Sequence, residues 1–258
     1  MIYGNSKQQQ IVRDLIENEK SPILIVGPEG VGKFSFILEY LSDKSIEKII
    51  LNPQEKFFKI DSARFIVSLS QKRSHKRIMI INEAHKFQYQ SQNILLKTFE
   101  ESQSNTIFIL ITHQQHKILP TIKSRSINVR FSLVDKEETI KFLQENNFSQ
   151  EDINYALNFY PYQPGKAFKL LMTKNKVEIF KKFIARQDFD LDKLKTNFSL
   201  SEFLEYYLLF KRSELLKKLD QNYGKEINHL REVLKLYYDA DFNLNFELQL
   251  TNLILNNG

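Results

Sequence analysis

Cysteine is absent from all 258 residues, which removes disulfides, cysteine-ligated zinc and thiol catalysis together. A reducing cytoplasm suits such a chain. Long apolar runs are also missing: the longest, such as Ile107–Ile111 and Ile78–Ile81, fall far below the roughly 20 residues that span a bilayer. No membrane helix is expected. Met1 is followed by polar residues and then by an amphipathic segment, without the basic, apolar and small-residue order of an export signal, so the protein is expected to stay in the cytoplasm. Glycine (7) and proline (6) are scarce beside abundant Lys, Asn, Ile and Phe, a bias from which no function is read.

What is present is ample core material and a modest positive charge. Hydrophobic residues make up 42% of the chain, enough for one large domain or two to three small ones. The net charge of +6 makes contact with a polyanion plausible, yet the excess is spread out. Its densest run, Lys72-Arg73-Ser74-His75-Lys76-Arg77, reads as a solvated loop.

Periodicity divides the chain near Asp135. Before it, helical and strand signals alternate. Ser6–Lys20 places Ile11, Val12, Leu15 and Ile16 on one helical face, with Ser6 as N-cap. After Pro22, Ile23–Val26 is a short β-branched strand, and Gly32–Leu41 returns to helix. A strand is predicted at Ile49–Leu51, a helix at Asp61–Gln71, and a strand of continuous apolar character at Arg77–Ile81, as suits a parallel sheet covered on both faces. Ser91–Glu101 is amphipathic with Ile94, Leu95, Thr98 and Phe99 inward. Further strands follow at Thr106–Ile111 and Ile127–Phe131. This alternation predicts a doubly wound α/β domain over 1–134.

From Lys136 onward the pattern is helical. Ile140, Phe142 and Leu143 precede a capping-box-like start at Ser149-x-x-Asp152, followed by Ile153, Ala156, Leu157 and Tyr160. A small helical lid over 135–172 is expected. Helical patterns at 166–172, 177–184, 200–219, 226–238 and 243–255 then predict a C-terminal bundle over 173–258. Tyr206-Tyr207 and Tyr237-Tyr238 could stack on nucleic acid, but at helical spacing they read as core and interface aromatics.

Gly27-Pro28-Glu29-Gly30-Val31-Gly32-Lys33 has the G-x-x-x-x-G-K spacing between an apolar strand and a helix, the setting that distinguishes a phosphate-binding loop from a plain glycine turn. Its backbone N–H groups and the helix dipole can face phosphate oxygens, and Lys33 can reach a terminal phosphate. The next position should carry the hydroxyl that holds magnesium. It is Phe34. The second metal position, after the strand 77–81, reads Asn82-Glu83-Ala84-His85, where Asn82 is isosteric with aspartate but neutral. Both protein contacts to the metal are missing together, so hydrolysis by this chain alone is expected to be negligible, although Glu83 could still polarise a water. Whether nucleotide occupies the loop stays open. His85 and His113, at strand ends near the loop, read as polar residues closing those strands rather than as metal ligands.

The stretch Phe108-Ile-Leu-Ile-Thr112-His113, then Ile118-Leu-Pro-Thr-Ile122, then Ser124-Arg125-Ser126 resembles the sensor strand and Ser-Arg-Cys element of the clamp-loader AAA+ family. Within it, the pattern and the degenerate loop look like the delta-prime branch, a part of DNA polymerase III, rather than the motor subunits; recognisable motifs cover about residues 1–172. The resemblance implies an AAA+ body, a lid and a C-terminal collar that joins a hetero-oligomeric ring, with the sliding clamp and primer-template DNA as further partners. It implies an accessory role in a nucleotidyltransferase complex, with no ATPase or polymerase activity in this chain.

The resemblance also assigns residues. Thr112 falls at the sensor position beside the nucleotide. Arg125, on local sequence only a surface arginine after a strand and a short turn, matches the finger that reaches a neighbouring subunit's ATP and supplies about 10³ to 10⁵ in rate. Ser126 replaces the family's cysteine. Gly165, in Gln163-Pro164-Gly165-Lys166, stands where active members carry a nucleotide-touching arginine, unless the register slips and Lys166 substitutes. The four-cysteine zinc module of many relatives has no counterpart, so no zinc is expected. Two competing readings are a motor subunit of the gamma/tau kind that hydrolyses ATP despite Phe34 and Asn82, and a free-standing adaptor on single-stranded DNA.

Overall fold

The computed structural model describes residues 3–53, 57–71, 76–100, 105–173, 178–180, 182, 194, 196–217 and 224–239. The expected helix at 243–255 lies outside these residues, as do half of that at 177–184 and Lys72–His75 of the basic run. The chain forms two compact units, one of residues 1–149 and 161–166, the other of 150–160 and 167–258.

In the first unit the elements run α1 (Ser6–Glu17), β1 (Ile23–Val26), α2 (Lys33–Leu41), β2 (Glu47–Leu51), α3 (Ile60–Ser70), β3 (Arg77–Ile81), α4 (Tyr89–Glu100), β4 (Thr106–Thr112), α5 (Pro120–Arg125), β5 (Ile127–Arg130) and α6 (Lys136–Glu145). The five strands pair in parallel in the order β2-β3-β4-β1-β5. This is the expected α/β architecture. Strands β1, β3 and β4 are buried along their whole length, whereas edge strands β2 and β5 are partly exposed.

Strand alternation sorts the central strands into two cores. Ile23, Ile25, Ile78, Ile80, Ile107 and Ile109 face Val12 and Ile16 of α1 and Phe36, Ile37 and Leu41 of α2. Leu24, Met79, Ile81, Phe108 and Leu110 face Ala63 and Ile66 of α3, Leu95 and Phe99 of α4 and Ile122 of α5. Each buried Val, Leu, Ile, Phe or Met side chain contributes about 1.5–3 kcal/mol, so the apolar runs that made the strands visible in sequence also hold the layers together.

Local departures from expectation have identifiable causes. Asn5, not Ser6, occupies the N-cap of α1, in a left-handed conformation and without a side-chain cap bond. Its amide instead ties the chain after β5, donating to Ser132 O at 3.1 Å and accepting from Ser132 N at 2.7 Å. Arg125 ends a helix rather than following a bare turn: Pro120 stands in the first turn of α5, where its fixed φ and missing N–H cost nothing. In α6, Thr139 and Leu143 are the fully buried residues; Ile140 is half-buried and Phe142 packs at the edge of the α1–α2 core.

The second unit contains α7 (Gln150–Leu157), the greater part of α8 (Pro164–Met172), α9 (Leu200–Lys217) and α10 (Gly224–Asp239). Phe180, Leu194, Phe198, Phe203, Leu204, Tyr207 and Val233 form its core. Tyr207 is buried with its hydroxyl 3.0 Å from His229 Nε2, and Tyr206 packs against Phe180 and Phe198. Both are packing residues. Tyr237 and Tyr238 belong to α10, their side chains outside the described set. Among the described residues, no helix is long and apolar enough to cross a membrane.

Candidate functional site: a phosphate loop with an inward-paired rim

In an open parallel sheet a ligand crevice lies beyond the carboxyl ends of the strands, where the order reverses. Here β4 sits between β3 and β1, although both precede it in the chain. The registers Val26↔Thr112 and Ile81↔Leu110 bring three strand ends together. A cleft of about 200 Å³ opens there, lined by Glu29, Gly30, Gly32, Lys33, Phe34 and Ser35 after β1, by Asn82 and Glu83 after β3, by Ile111, Thr112 and His113 at the end of β4, and by Gly165.

The loop Gly27–Lys33 is wrapped around its own lysine. Lys33 is only 7% exposed, and its ammonium donates to Gly27 O at 2.8 Å and Pro28 O at 2.5 Å. Burial pushes its pKa down to about 8, against the opposing pull of the Glu29 and Glu83 carboxylates. Val31 is buried and anchors the loop in the α1–α2 core. Gly30 has φ +78° and lies so close to Lys166 that a Cβ there would sit 2.9 Å from Lys166 N; only glycine fits without strain.

The rim residues are paired within the chain. Glu29 meets Lys166 at 3.0 Å. Asn82 donates from Nδ2 to Asn52 Oδ1 at 3.0 Å, turning toward β2. Glu83, left-handed at φ 53°, pairs with Lys86 at 2.6 Å. Thr112 is 1% exposed; its Oγ1 accepts from Gln114 N at 3.0 Å and shares a hydrogen bond with His85 Nδ1 at 3.1 Å. His85 and His113 meet edge to face with centroids 4.3 Å apart. Burial drives the His85 pKa down to about 3 and lowers that of His113, so two neutral imidazoles close β3 and β4.

Magnesium, which accompanies nucleotide at an active phosphate loop, needs ligands that these residues would have to supply. Phe34 lines the cleft where a hydroxyl would be required and packs against the α1–α2 core. Asn82 is neutral and engaged with Asn52, and the Glu83 carboxylate is neutralised by Lys86. These residues do not fit the metal. Among the described residues, no group of three His, Asp or Glu side chains could hold one.

Arg125 does not line the cleft. It ends α5, about 39% exposed, with Nη2 2.5 Å from Glu100 Oε1 and Nη1 donating to Thr121 O at 3.2 Å. Neighbouring Ser126 is buried and donates to Ile122 O at 2.7 Å. Two glutamines escaped the sequence reading. Gln92, buried in α4, donates to Phe87 O and Lys117 O and accepts from Leu119 N, at 2.8 to 2.9 Å, so it fixes the start of α5. Its position one turn before Leu95, on the inward stripe, was the available signal. Gln163 donates to Glu29 O at 3.0 Å, a contact with no sequence signature.

A family model described as DNA polymerase III, delta subunit, matches residues 42–135. The chain is 29% identical over 118 residues to DNA polymerase III subunit gamma of Buchnera aphidicola, covering 42% of this chain and 32% of that protein. It is 31% identical over 100 residues to DNA polymerase III subunit delta' of Pseudomonas aeruginosa, covering 36% and 30%. The matched segments thus span about a third of these relatives. A solved DNA polymerase III gamma subunit-related protein from Thermotoga maritima shares the fold, with a TM-score of 0.57, 20% identity and coverage of 96% of this chain and 98% of that one. Over the matched segments the chain is thus similar to DNA polymerase III gamma and delta' subunits, and along its length it shares the fold of the Thermotoga maritima protein.

Proposed function

We propose that this chain is a non-hydrolysing clamp-loader subunit of the delta-prime kind, serving a DNA polymerase III holoenzyme. In this role it joins other loader subunits in a hetero-oligomeric ring, helps place the sliding clamp on primer-template DNA, and works in the cytoplasm. The lid over 135–172 and the collar over 173–258 are assigned on the same reading. The observation that carries it is the metal side of the cleft: Phe34 in place of a hydroxyl, Asn82 turned to Asn52, and Glu83 neutralised by Lys86. Phosphoryl transfer depends on metal and positioned charge, and this rim supplies neither. ATP or ADP held by Gly27–Lys33 would act as a structural ligand, without turnover.

Arg125 is assigned the finger that completes a neighbour's active site. Its pair with Glu100 is exposed, and such pairs contribute only about 0–1 kcal/mol, so the guanidinium is readily transferred to a phosphate, whose oxygens its planar fork suits. A second reading, a motor subunit of the gamma/tau kind, is favoured by the complete G-x-x-x-x-G-K loop and the gamma-named relative. The purified chain separates the two: no magnesium-dependent ATPase above background is expected. Turnover that Lys33→Ala abolishes would establish the motor reading instead.

A further inference from the structure

The carbonyls of the phosphate loop are taken up in sequence. Gly27 O and Pro28 O accept from the Lys33 ammonium, Glu29 O from Gln163 Nε2 at 3.0 Å, and Gly30 O from Gly165 N at 2.8 Å. The last two donors lie outside the motif, in the turn that opens α8. Each peptide unit is planar and trans, so its C=O and the following N–H point in opposite directions. A carbonyl of residue 29 or 30 held toward 163–165 therefore holds the N–H of Gly30 or Val31 the other way. Those two amides belong to the set a phosphate loop must present to an anion.

The contact is close enough to restrict its residues. A Cβ at Gly165 would stand 3.0 Å from Gly30 O and 3.2 Å from Gly30 Cα, and one at Gly30 would meet Lys166 N at 2.9 Å. Two glycines face each other, and the Lys166–Glu29 ion pair at 3.0 Å spans the same junction. Gly165, a lost nucleotide contact by resemblance, has a structural reason of its own: a side chain there would stand tight against the Gly30 backbone, which would have to give by a few tenths of an ångström.

We propose that Gln163 and Gly165 are positioning residues for anion binding: they clasp the backward-facing carbonyls of Glu29 and Gly30 and thereby preset the Gly30 and Val31 amides for a diphosphate group, without metal. This rests on the reading of Gly27–Lys33 as an anion-binding loop. The clasp substitutes for part of the organisation that metal ligands give an active site.

The test is calorimetric titration of the full chain with ADP in the presence of a chelator, comparing wild type with Gln163→Met, which keeps the length of the side chain and its lack of charge but removes the donor. Wild type should bind, and Gln163→Met should bind about 5- to 10-fold more weakly at an unchanged melting temperature. Amide NMR supplies the readout that a merely structural role would not move: ADP should shift the Gly30 and Val31 resonances in wild type and shift them less in Gln163→Met at matched saturation. Gly165→Ala, which crowds Gly30 O and Gly30 Cα, should weaken binding in the same direction. Equal affinity and equal amide shifts in Gln163→Met would overturn the clasp, as would absence of ADP binding by wild type. Neither result would touch the non-hydrolysing reading, which the ATPase measurement decides separately.

Discussion

Lys33 shows how one buried side chain serves two ends. Its ammonium closes the loop on Gly27 and Pro28, yet burial holds its pKa near 8 rather than the ordinary 10.5. Between these values the unfolded chain binds more protons than the folded one, so stability should rise as pH climbs from about 8 toward 10.5, the penalty being full below 8. At 1.36 kcal/mol per unit the full effect is on the order of 3 kcal/mol. Urea unfolding of wild type and Lys33→Met across pH 7.5–10 should therefore show a shallower rise in the variant. Parallel pH profiles would count against a charged, buried Lys33. At the same scale, Arg125→Ala should alter stability by no more than about 1 kcal/mol, because its partner Glu100 is solvent-facing. In a reconstituted loader it should leave assembly intact and lower DNA-stimulated ATPase by about 10³-fold or more, the range such fingers supply. Unchanged ATPase would retire the assignment.

At the scale of elements, Gln92 joins three segments that sequence keeps apart. Its amide bonds Phe87 O before α4, and Lys117 O and Leu119 N ahead of α5. Gln92→Leu would leave two carbonyls and one N–H without that partner in a buried setting, at about 1–3 kcal/mol for each group left unsatisfied. A loss of about 3 kcal/mol or more is expected in urea unfolding, with the denaturant slope unchanged; a loss under 1 kcal/mol would show that water replaces the glutamine. The strands and the loop were legible because one force wrote both pattern and structure: β1, β3 and β4 are buried on both faces, and their unbroken Ile, Leu, Val, Phe and Met runs say so. Helix α5 was not, since six residues give too little periodicity to see, and its placement depends on one distant glutamine. The N-cap of α1 misled for a related reason. Ser6 offers the right chemistry locally, but Asn5 takes the position in order to hold Ser132 across 127 residues.

At the scale of the whole molecule, the proposed lack of hydrolysis rests on residues at three strand ends, and this determines what restoring it would require. Phe34 follows β1, Asn82 and Glu83 follow β3, and Thr112 ends β4. Replacing Phe34 by Thr and Asn82 by Asp in one chain returns a hydroxyl and a carboxylate to the metal side of the cleft. It does not release Glu83 from Lys86 or Thr112 from His85. Coulomb attraction between a divalent cation, the new carboxylate and bound phosphate should make ATP affinity magnesium-dependent, by several-fold or more at an effective dielectric of about 20. Turnover should nonetheless stay at background, because the groups that would orient water and sense the terminal phosphate remain paired within the chain. Removing the half-buried Phe34 ring from the α1–α2 core will cost some stability, so melting curves must show that the double variant is folded before its affinity is read. Titrations with and without magnesium, beside an ATPase assay, give the outcome. Affinity that ignores magnesium would mean that more than these two ligands is missing, whereas appearance of turnover would mean that the Glu83–Lys86 pair opens freely and that Phe34 and Asn82 alone keep this chain from being a motor.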